Sequence, residues 1–432
     1  MDNNLQKNKL LKAFYNAIPL KDDTRIDHDE DWERYIPGLH DNAGSNPIDE
    51  LAQAIRYADS AANYLFCGHR GAGKSIELKR LARQLNAEPG VIALYLDLAD
   101  YIDLGAEIAV GDLLIAIMVG LTITVNKELK LPLAQSTWFE TIGRFFQSEI
   151  AVDVKFEFNA YLLSAAAKLK KKPSFKKTLQ ELTEGQIDNV VASVDRFATY
   201  AVSRIQTEKC KPLAKVVLIV DSLELLHATE SIFRSVHQTF HTNAQQLKLS
   251  MLSFVFSVPP YLPLVSPGIG ALYGSGLTSL PQVKVRGKNN ERHAEGIARL
   301  QSVVEKRFPS WREVLQEQQL QKLIVASGGN LRVLIQLLQK LIVKLERYLL
   351  PLNEDGPVNS ALSDVRNETQ LTQDEINWLK TVREKKSAVL IEDSSGREAL
   401  ARLFAAHLIL DYRNGALWYD TLPLIDELLD SA

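Results

Sequence analysis

Short apolar runs alternate with amphipathic helical patterns over the first two thirds of the chain. The runs VIALYLD, KVVLIVD and LSMLSFVFSV are typical of strands buried on both faces of a parallel sheet. They cover Val91 to Asp97, Lys215 to Asp221 and Leu249 to Val258, and a shorter run covers Tyr64 to Cys67. Helical periodicity separates these runs. The order of strands and helices therefore predicts an α/β fold built on a parallel sheet.

Helical patterns fill most of the remaining chain. A helix is predicted from Pro47 to Ser60, and Gln282 to Val285 is predicted to form a short last strand. From residue 290 the pattern is helical to about residue 350, where PLNEDGPVNS indicates a linker. The apolar stretch Gly111 to Val125 is shorter than the ~20 residues of a membrane helix, so we predict a buried helix and no membrane partner.

The composition is that of a globular protein with two or three domains. The 432 residues are 46% apolar and 24% charged. The net charge of −3 gives no overall basic field that would attract nucleic acid or a membrane surface. Cys67 and Cys210 are too few for a disulfide framework, so we expect a reduced, cytoplasmic compartment.

The strongest chemical signal is the glycine-rich run GHRGAGKS, which has the form G-x-x-x-x-G-K-[ST]. Glycines let consecutive N–H groups converge on a phosphate, and the start of the following helix adds partial positive charge. The run stands between a predicted strand and a predicted helix, which is the context that this motif requires. We therefore predict binding of ATP and Mg²⁺. The predicted nucleotide-binding residues are Gly68, His69, Arg70, Gly71, Ala72, Gly73, Lys74, Ser75 and Ile76.

Polar residues at the ends of later elements complete the predicted site. Asp221 ends the strand KVVLIVD, where a carboxylate can hold the metal ion. Glu224 is the candidate for polarising the attacking water. The alternative, which has nearly equal merit, is that Glu224 is a solvated acidic residue at the start of a helix. Ser257 either senses the γ-phosphate or simply ends its strand. Arg332 lies in the first turn of a helix capped by Asn330, where the helix dipole disfavours a cation, so we predict a phosphate partner for it.

Together these motifs resemble the AAA+ and STAND branches of P-loop ATPases over roughly residues 20–350. GHRGAGKSIEL is similar to a GHRGSGKSTEL pattern of bacterial STAND-like ATPases, and VDSLE, FSVPPYL and SGGNLRVL follow in the expected order. The resemblance implies phosphate binding by Lys74, magnesium binding by Ser75 and Asp221, activation of water by Glu224, and sensor 1 and sensor 2 roles for Ser257 and Arg332.

The chain departs from that resemblance in two respects. In many AAA+ proteins the acidic residue is adjacent to the aspartate. Glu224 instead lies three residues after Asp221, as in some STAND proteins, so we expect slow hydrolysis. In addition, the sequence does not decide which of Arg286, Arg292 and Arg307 would serve as an arginine finger.

Residues 371–432 look similar to a winged helix. LTQDEINWLKTV predicts an amphipathic helix, Gly396 to Ala406 a second helix, and HLILDYRNGALWYD a hairpin that turns at Asn414-Gly415. Residues 361–432 hold eight Lys/Arg and thirteen Asp/Glu, a net charge of −5. We therefore expect this unit to contact protein rather than DNA, with DNA kept as the alternative because of one basic cluster. That cluster comprises Lys380, Arg383, Lys385 and Lys386.

The predicted fold class is a P-loop, ASCE/AAA+-like parallel-sheet core with a helical lid and a C-terminal winged-helix-like domain. The predicted segments are an N-terminal arm (1–45), the ATPase core (46–289, with a helical insertion at about 123–210), the lid with sensor 2 (290–350) and the winged-helix-like domain (361–432).

The leading functional hypothesis is a regulatory ATPase, a nucleotide-controlled switch that acts on a partner protein and assembles as a homo-oligomer. The family resemblance implies bacterial signalling or defence as its setting. Two alternatives are kept. One is a DNA-engaging ATPase of the replication-initiator or transposition-regulator type, and the other is a non-hydrolysing scaffold that holds ATP for structure only.

Overall fold

The chain divides by internal packing into two units. The sheet unit comprises Pro47–Cys67 and Ser75–Ser279, and the winged-helix unit comprises Met1–Asn46, Gly68–Lys74 and Leu280–Ala432. Residues 134–186 of the predicted helical insertion lie outside the part that is described. The computed structural model describes residues 2–20, 29–41, 45–133, 187–226, 229–274, 276–388 and 394–431.

Five strands form the sheet of the sheet unit, in the order β2-β3-β4-β1-β5. Neighbouring strands from β2 to β1 pair in parallel. The strand that ends in Asp221 is thus separated by β4 from the strand that precedes GHRGAGKS. The strands are β1 (Asn63–Gly68), β2 (Val91–Asp97), β3 (Lys215–Asp221), β4 (Leu252–Val258) and β5 (Leu277–Leu280).

Strands β2 and β3 begin and end at the predicted residues, so these two predictions are confirmed. The sequence shows them clearly because continuous β-branched and aliphatic runs are typical of strands buried on both faces. The prediction of a last strand at Gln282 to Val285 is wrong, since that strand is β5, a few residues earlier. The backbone N–H of Gln282 instead donates to the carbonyl oxygen of Asp411 at 3.0 Å, so this segment joins a different part of the chain.

Fourteen α-helices are present in the described residues. They are α1 (Asp2–Ala17), α2 (Pro47–Tyr57), α3 (Lys74–Asn86), α4 (Val110–Leu129), α5 (Ile187–Glu208), α6 (Glu230–His237), α7 (Leu262–Val265), α8 (Ala294–Arg307), α9 (Glu317–Ala326), α10 (Leu331–Lys344), α11 (Gly356–Asn367), α12 (Gln373–Lys385), α13 (Ser394–Ala405) and α14 (Asp426–Ser431).

Helix α4 lies in the hydrophobic core of the sheet unit, where it packs on β2 and on α5. Among the described residues it is the one helix long and apolar enough to cross a membrane, and 83% of its apolar window is buried inside the protein. This burial confirms the prediction of a buried helix from Gly111 to Val125.

The winged-helix unit contains the helices predicted as a lid, α8 to α10, and helix α1 packs on α10. Phe14 of α1 is fully buried and stacks on Phe308 with ring centroids 4.5 Å apart. The Gln339 side chain donates from Nε2 to the carbonyl oxygen of Ile18 at 2.8 Å. The N-terminal helix is thus anchored to the same layer as the lid helices.

The C-terminal part of this unit consists of three helices, α11 to α13, followed by an antiparallel hairpin of β6 (Ile409–Asn414) and β7 (Ala416–Thr421). Three helices and a hairpin in this order are the winged-helix arrangement. Gly415 has a φ of +76°, a left-handed conformation that glycine adopts without steric cost, and it makes the predicted turn. Tyr412 and Trp418 stack across the hairpin with centroids 4.8 Å apart. The predicted fold class is therefore confirmed.

Candidate functional site

The glycine-rich run forms a tight loop between β1 and α3, as its sequence predicts. β1 is buried along its whole length, and α3 begins at Lys74. Gly71 and Gly73 have φ values of +82° and +92°, which side chains rarely adopt, so both positions need glycine. A loop of this kind, followed directly by a helix N-terminus, presents backbone N–H groups that can bind a phosphate.

Lys74 is held inside this loop. Its side chain is buried, and Nζ donates to the carbonyl oxygen of His69 at 2.9 Å. The same carbonyl accepts from the backbone N–H of Ala72 at 3.2 Å, which closes the turn. A phosphate oxygen is a stronger acceptor for an ammonium group than a neutral carbonyl, so a bound nucleotide would compete for Lys74.

Ser75 and Ile76 lie in the first turn of α3. Ser75 is exposed and Ile76 is half-buried. The exposed Ser75 hydroxyl offers the oxygen ligand that the sequence predicts for Mg²⁺.

The start of α10 adjoins the loop within the winged-helix unit. Asn330 caps α10 by accepting from the backbone N–H groups of Arg332 and Val333 at 3.0 and 3.2 Å, which confirms the predicted cap. Its Nδ2 donates to the carbonyl oxygen of Arg70 at 3.2 Å. A Cβ added to Gly71 would lie only 2.4 Å from Cβ of Arg332. Arg332, the predicted sensor 2, is thus brought against the glycine-rich loop.

His69 is fully buried and connects the loop to the winged helix. Its ring stacks on Phe404 with centroids 5.5 Å apart, and its Nε2 lies 3.2 Å from Oδ1 of Asp411. The ring of His407 meets it edge-on at 6.1 Å. Burial and, to a smaller degree, the basic side chains nearby lower the pKa of His407 to about 3, so this ring is neutral at neutral pH.

Sequence reasoning missed Phe404, His407 and Asp411 as neighbours of the loop. They lie more than 330 positions after it, and each has an ordinary local role in a helix, a turn or a strand. No local pattern carries a signal for this contact.

A second constellation lies in the sheet unit, around Asp221. This residue is fully buried, and both of its oxygens accept hydrogen bonds. The Tyr95 hydroxyl donates to Oδ2 at 2.6 Å, and the backbone N–H of Ser222 donates to Oδ1 at 2.8 Å. Burial first, and then the charge of Asp221, raise the pKa of the Tyr95 hydroxyl, so it stays a donor across the physiological range.

Glu224 and Ser257 are directly bonded in this constellation. The Ser257 hydroxyl donates to Oε2 of Glu224 at 2.6 Å. Glu224 lies in the short 3₁₀ turn Leu223–Leu225 that follows β3, and Ser257 is near the end of β4. Three predicted residues, Asp221, Glu224 and Ser257, are thus gathered at the carboxyl edge of the sheet, where parallel α/β sheets bind their ligands.

Asp97 also belongs to this constellation, and sequence reasoning missed it. It pairs in register with Asp221 across the parallel strands β2 and β3. A signal was present, because VIALYLD and KVVLIVD are two buried strands that both end in aspartate. Adjacent parallel strands bring such ends to one edge.

The residue chemistry fits a magnesium ion held together with a nucleotide. Ser75 and Asp221 supply a hydroxyl and a carboxylate, the hard oxygen ligands that Mg²⁺ takes, and phosphates and water supply the others. Among the described residues, no group of three or more His, Cys, Asp or Glu side chains is placed to hold a metal ion without such help.

The three arginines considered as fingers differ in their surroundings. Arg286 is buried, and its guanidinium pairs with Asp420 at 3.0 Å and Asp426 at 2.6 Å. This network ties Arg286 to the hairpin and α14, so it is not available as a finger. Arg292 is exposed, and burial lowers the pKa of Arg307, which is half-buried.

No protein-family model and no curated protein matches this chain. Solved structures match over nearly its whole length. The Aeropyrum pernix ORC1 protein in complex with DNA is 12% identical, covers 93% of this chain and 96% of its own, and gives a TM-score of 0.36. The ADP form of the Aeropyrum pernix ORC2 protein is 12% identical, with coverages of 91% and 95% and a TM-score of 0.38. Drosophila ORC bound to DNA is 11% identical, with coverages of 94% and 91% and a TM-score of 0.34.

The chain's own topology decides the fold type. One strand, β4, stands between the P-loop strand and the Asp221 strand, with β5 beside β1 and a winged helix at the C-terminal end. The fold is of the AAA+ P-loop type.

Proposed function

We propose that this chain is an ATP- and Mg²⁺-binding, slowly hydrolysing AAA+-type ATPase that works as a nucleotide-controlled switch for a partner protein. In this proposal Lys74 and the backbone of residues 68–75 bind the phosphates, Ser75 and Asp221 hold Mg²⁺, and Glu224 orients water. Ser257 and Arg332 respond to the γ-phosphate. The four-part domain division, homo-oligomer formation, cytoplasmic location and a STAND-like role in bacterial signalling or defence remain predictions.

The observation that supports a switch is the packing of the P-loop itself. Its His69 is buried against Phe404 and Asp411 of the winged helix, and its Gly71 lies against the start of α10. The Lys74 ammonium, which would bind phosphate, donates a hydrogen bond to the carbonyl oxygen of that same His69. A phosphate that attracts Lys74 would change the contacts of His69. The loop would then have two arrangements, one with Lys74 bonded to His69 and one with Lys74 bonded to phosphate. The nucleotide would bind these two arrangements with different affinities, and a population shift requires such a difference.

Hydrogen exchange on the full chain tests this switch. We expect added ATP with Mg²⁺ to change the protection of amides at residues 399–412, and ADP to change it to a different extent. The reason is that only ATP brings a γ-phosphate to Lys74 and Arg332. The Lys74→Ala variant should show no change with either nucleotide. If ATP binds but protection at residues 399–412 is the same with ATP, with ADP and without nucleotide, the switch proposal is wrong.

A second candidate is a DNA-engaging ATPase, because winged helices are used in DNA binding and residues 356–431 have that arrangement. Its proposed basic cluster is partly neutralised. Arg383 pairs with Asp430 at 2.8 Å, and the mostly buried Lys386 pairs with Asp420 at 2.9 Å. A DNA-binding surface draws its affinity from basic groups that release counterions, so these ion pairs favour protein contact.

Titration of the full chain with duplex DNA at low and moderate salt distinguishes the two candidates. We expect a dissociation constant weaker than micromolar that is unchanged in the triple variant Lys380→Ala, Lys385→Ala, Arg413→Ala. This variant leaves the ion pairs of Arg383 and Lys386 intact, so it tests charge without disturbing them. Micromolar or tighter binding that the triple variant loses would make the DNA-engaging ATPase the better proposal.

A further inference from the structure

Asp97 ends β2 beside Asp221 and accepts two hydrogen bonds through one oxygen. The Ser222 hydroxyl donates to its Oδ1 at 2.6 Å, and the backbone N–H of Ala99 donates to the same atom at 3.1 Å. The bond to Ala99 caps the short turn Leu98–Asp100, which is a local structural role. The bond to Ser222 connects Asp97 to the turn after β3.

Ser222 has a conformation that needs such support. Its φ is +78°, in the left-handed region that residues other than glycine seldom adopt. Two bonds hold it there, one from its hydroxyl to Asp97 and one from its N–H to Oδ1 of Asp221. Strained backbone of this kind persists where the surroundings determine it, and it is frequent at functional sites.

The conformation of Ser222 decides where its neighbours point. Ser222 is the cap of the 3₁₀ turn Leu223–Leu225, which contains Glu224. Its N–H also supplies one of the two hydrogen bonds on Asp221, the other coming from Tyr95. Both carboxylates of the proposed ATPase site therefore depend on a serine that Asp97 restrains.

We propose that Asp97 is a positioning residue for ATP hydrolysis, which acts through Ser222 to hold Asp221 and Glu224 in their orientations. This inference rests on the proposed ATPase function. A carboxylate suits the role because a charged acceptor makes a shorter and stronger bond to a hydroxyl than a neutral one. Burial raises the pKa of Asp97 and the Ser222 hydroxyl opposes that shift, so the bond to Ser222 also favours the ionised form.

Three single variants of the full chain separate positioning from local capping. Asp97→Ala loses both bonds, Asp97→Asn keeps an acceptor oxygen for both, and Ser222→Gly loses only the bond between Ser222 and Asp97. Glycine at position 222 tolerates the positive φ, so the last variant removes the hydroxyl without adding backbone strain. The cap on Ala99 remains intact in it.

We expect kcat for ATP to fall about 10- to 100-fold in Asp97→Ala and in Ser222→Gly, because small displacements of reacting groups have effects of this size. The dissociation constant for ATP without Mg²⁺ should stay within about twofold of wild type, since the phosphate-binding loop is unchanged. Asp97→Asn should recover most of the lost turnover. The double variant Asp97→Ala, Ser222→Gly should lose no more than the single variants, because both break the same connection.

A second measurement does not depend on turnover. Calorimetry with and without Mg²⁺ gives the factor by which the metal ion tightens ATP binding. We expect this factor to drop in Asp97→Ala and Ser222→Gly, as Asp221 loses a restraint, and to be restored in Asp97→Asn. Circular dichroism checks that each variant is folded.

The outcomes separate this inference from the proposed function. A wild-type chain that binds no ATP would overturn the proposed function. If wild type binds ATP, and Ser222→Gly matches it in both turnover and the Mg²⁺ factor, the positioning role is wrong. If turnover and the Mg²⁺ factor then fall only in Asp97→Ala, the role of Asp97 is to cap the turn Leu98–Asp100 through its bond to Ala99.

Discussion

Replacing Lys74 with alanine is expected to abolish ATP binding or weaken it about 100-fold or more. Lys74 is the buried ammonium in the loop, and it would contact both the β- and γ-phosphates. Each hydrogen bond to a charged group contributes about 1.5–3 kcal/mol. Two such contacts amount to at least two factors of ten in the dissociation constant, at about 1.4 kcal/mol for each.

Calorimetric titration of ATP into the full chain, with Mg²⁺ present, measures this effect. Lys209→Ala is the matched control, because Lys209 is an exposed lysine just after the end of α5, and we expect it to bind ATP like wild type. The loop of Lys74→Ala should still form, since its turn is held by the bond from Ala72 to His69. Equal ATP affinity in wild type and Lys74→Ala would remove the basis for the nucleotide site.

Replacing Glu224 with glutamine is expected to lower turnover about 100-fold or more while ATP remains bound. A positioned general base contributes about 10²- to 10⁴-fold to a rate, and an amide cannot accept the proton from water. The change should preserve local structure, because the amide oxygen can still accept from the Ser257 hydroxyl that now bonds to Oε2. ATP should therefore be trapped on the variant.

Single-turnover measurements with purified variants test this role. Asp221→Asn serves as the comparison, since it alters the proposed metal ligand and should impair both Mg²⁺-dependent binding and turnover. If Glu224→Gln turns over ATP like wild type while Asp221→Asn is inactive, another group activates the water. Glu224 would then have a structural role, which includes its bond to Ser257.

Local chemistry explains why several elements were predictable from the sequence. The strands β2 and β3 are continuous apolar runs, and burial on both faces of a parallel sheet requires this. The loop before α3 needs glycine at positions 71 and 73 for its positive φ values, so its geometry is encoded by neighbouring residues. The Asn330 cap acts over three positions and is also local.

The misplaced last strand shows where local reasoning fails. QVKV alternates apolar and polar residues in the way that a half-buried strand does. The N–H of Gln282 nevertheless bonds to the backbone of Asp411, about 130 positions later. A period of two indicates extended backbone, but it does not identify the partner.

The sequence by itself determined that this chain has a glycine-rich P-loop, a buried parallel sheet and a C-terminal helix-and-hairpin unit. Glycine conformation, strand burial and capping act within a few residues, so the local sequence is sufficient for them. Only the tertiary structure decided that His69 packs on Phe404, that Asp97 holds Ser222, and that Arg286 belongs to an ion-pair network. These contacts join residues more than 100 positions apart. Their formation depends on strand order and on which faces pack together, and a hydrophobic pattern encodes neither.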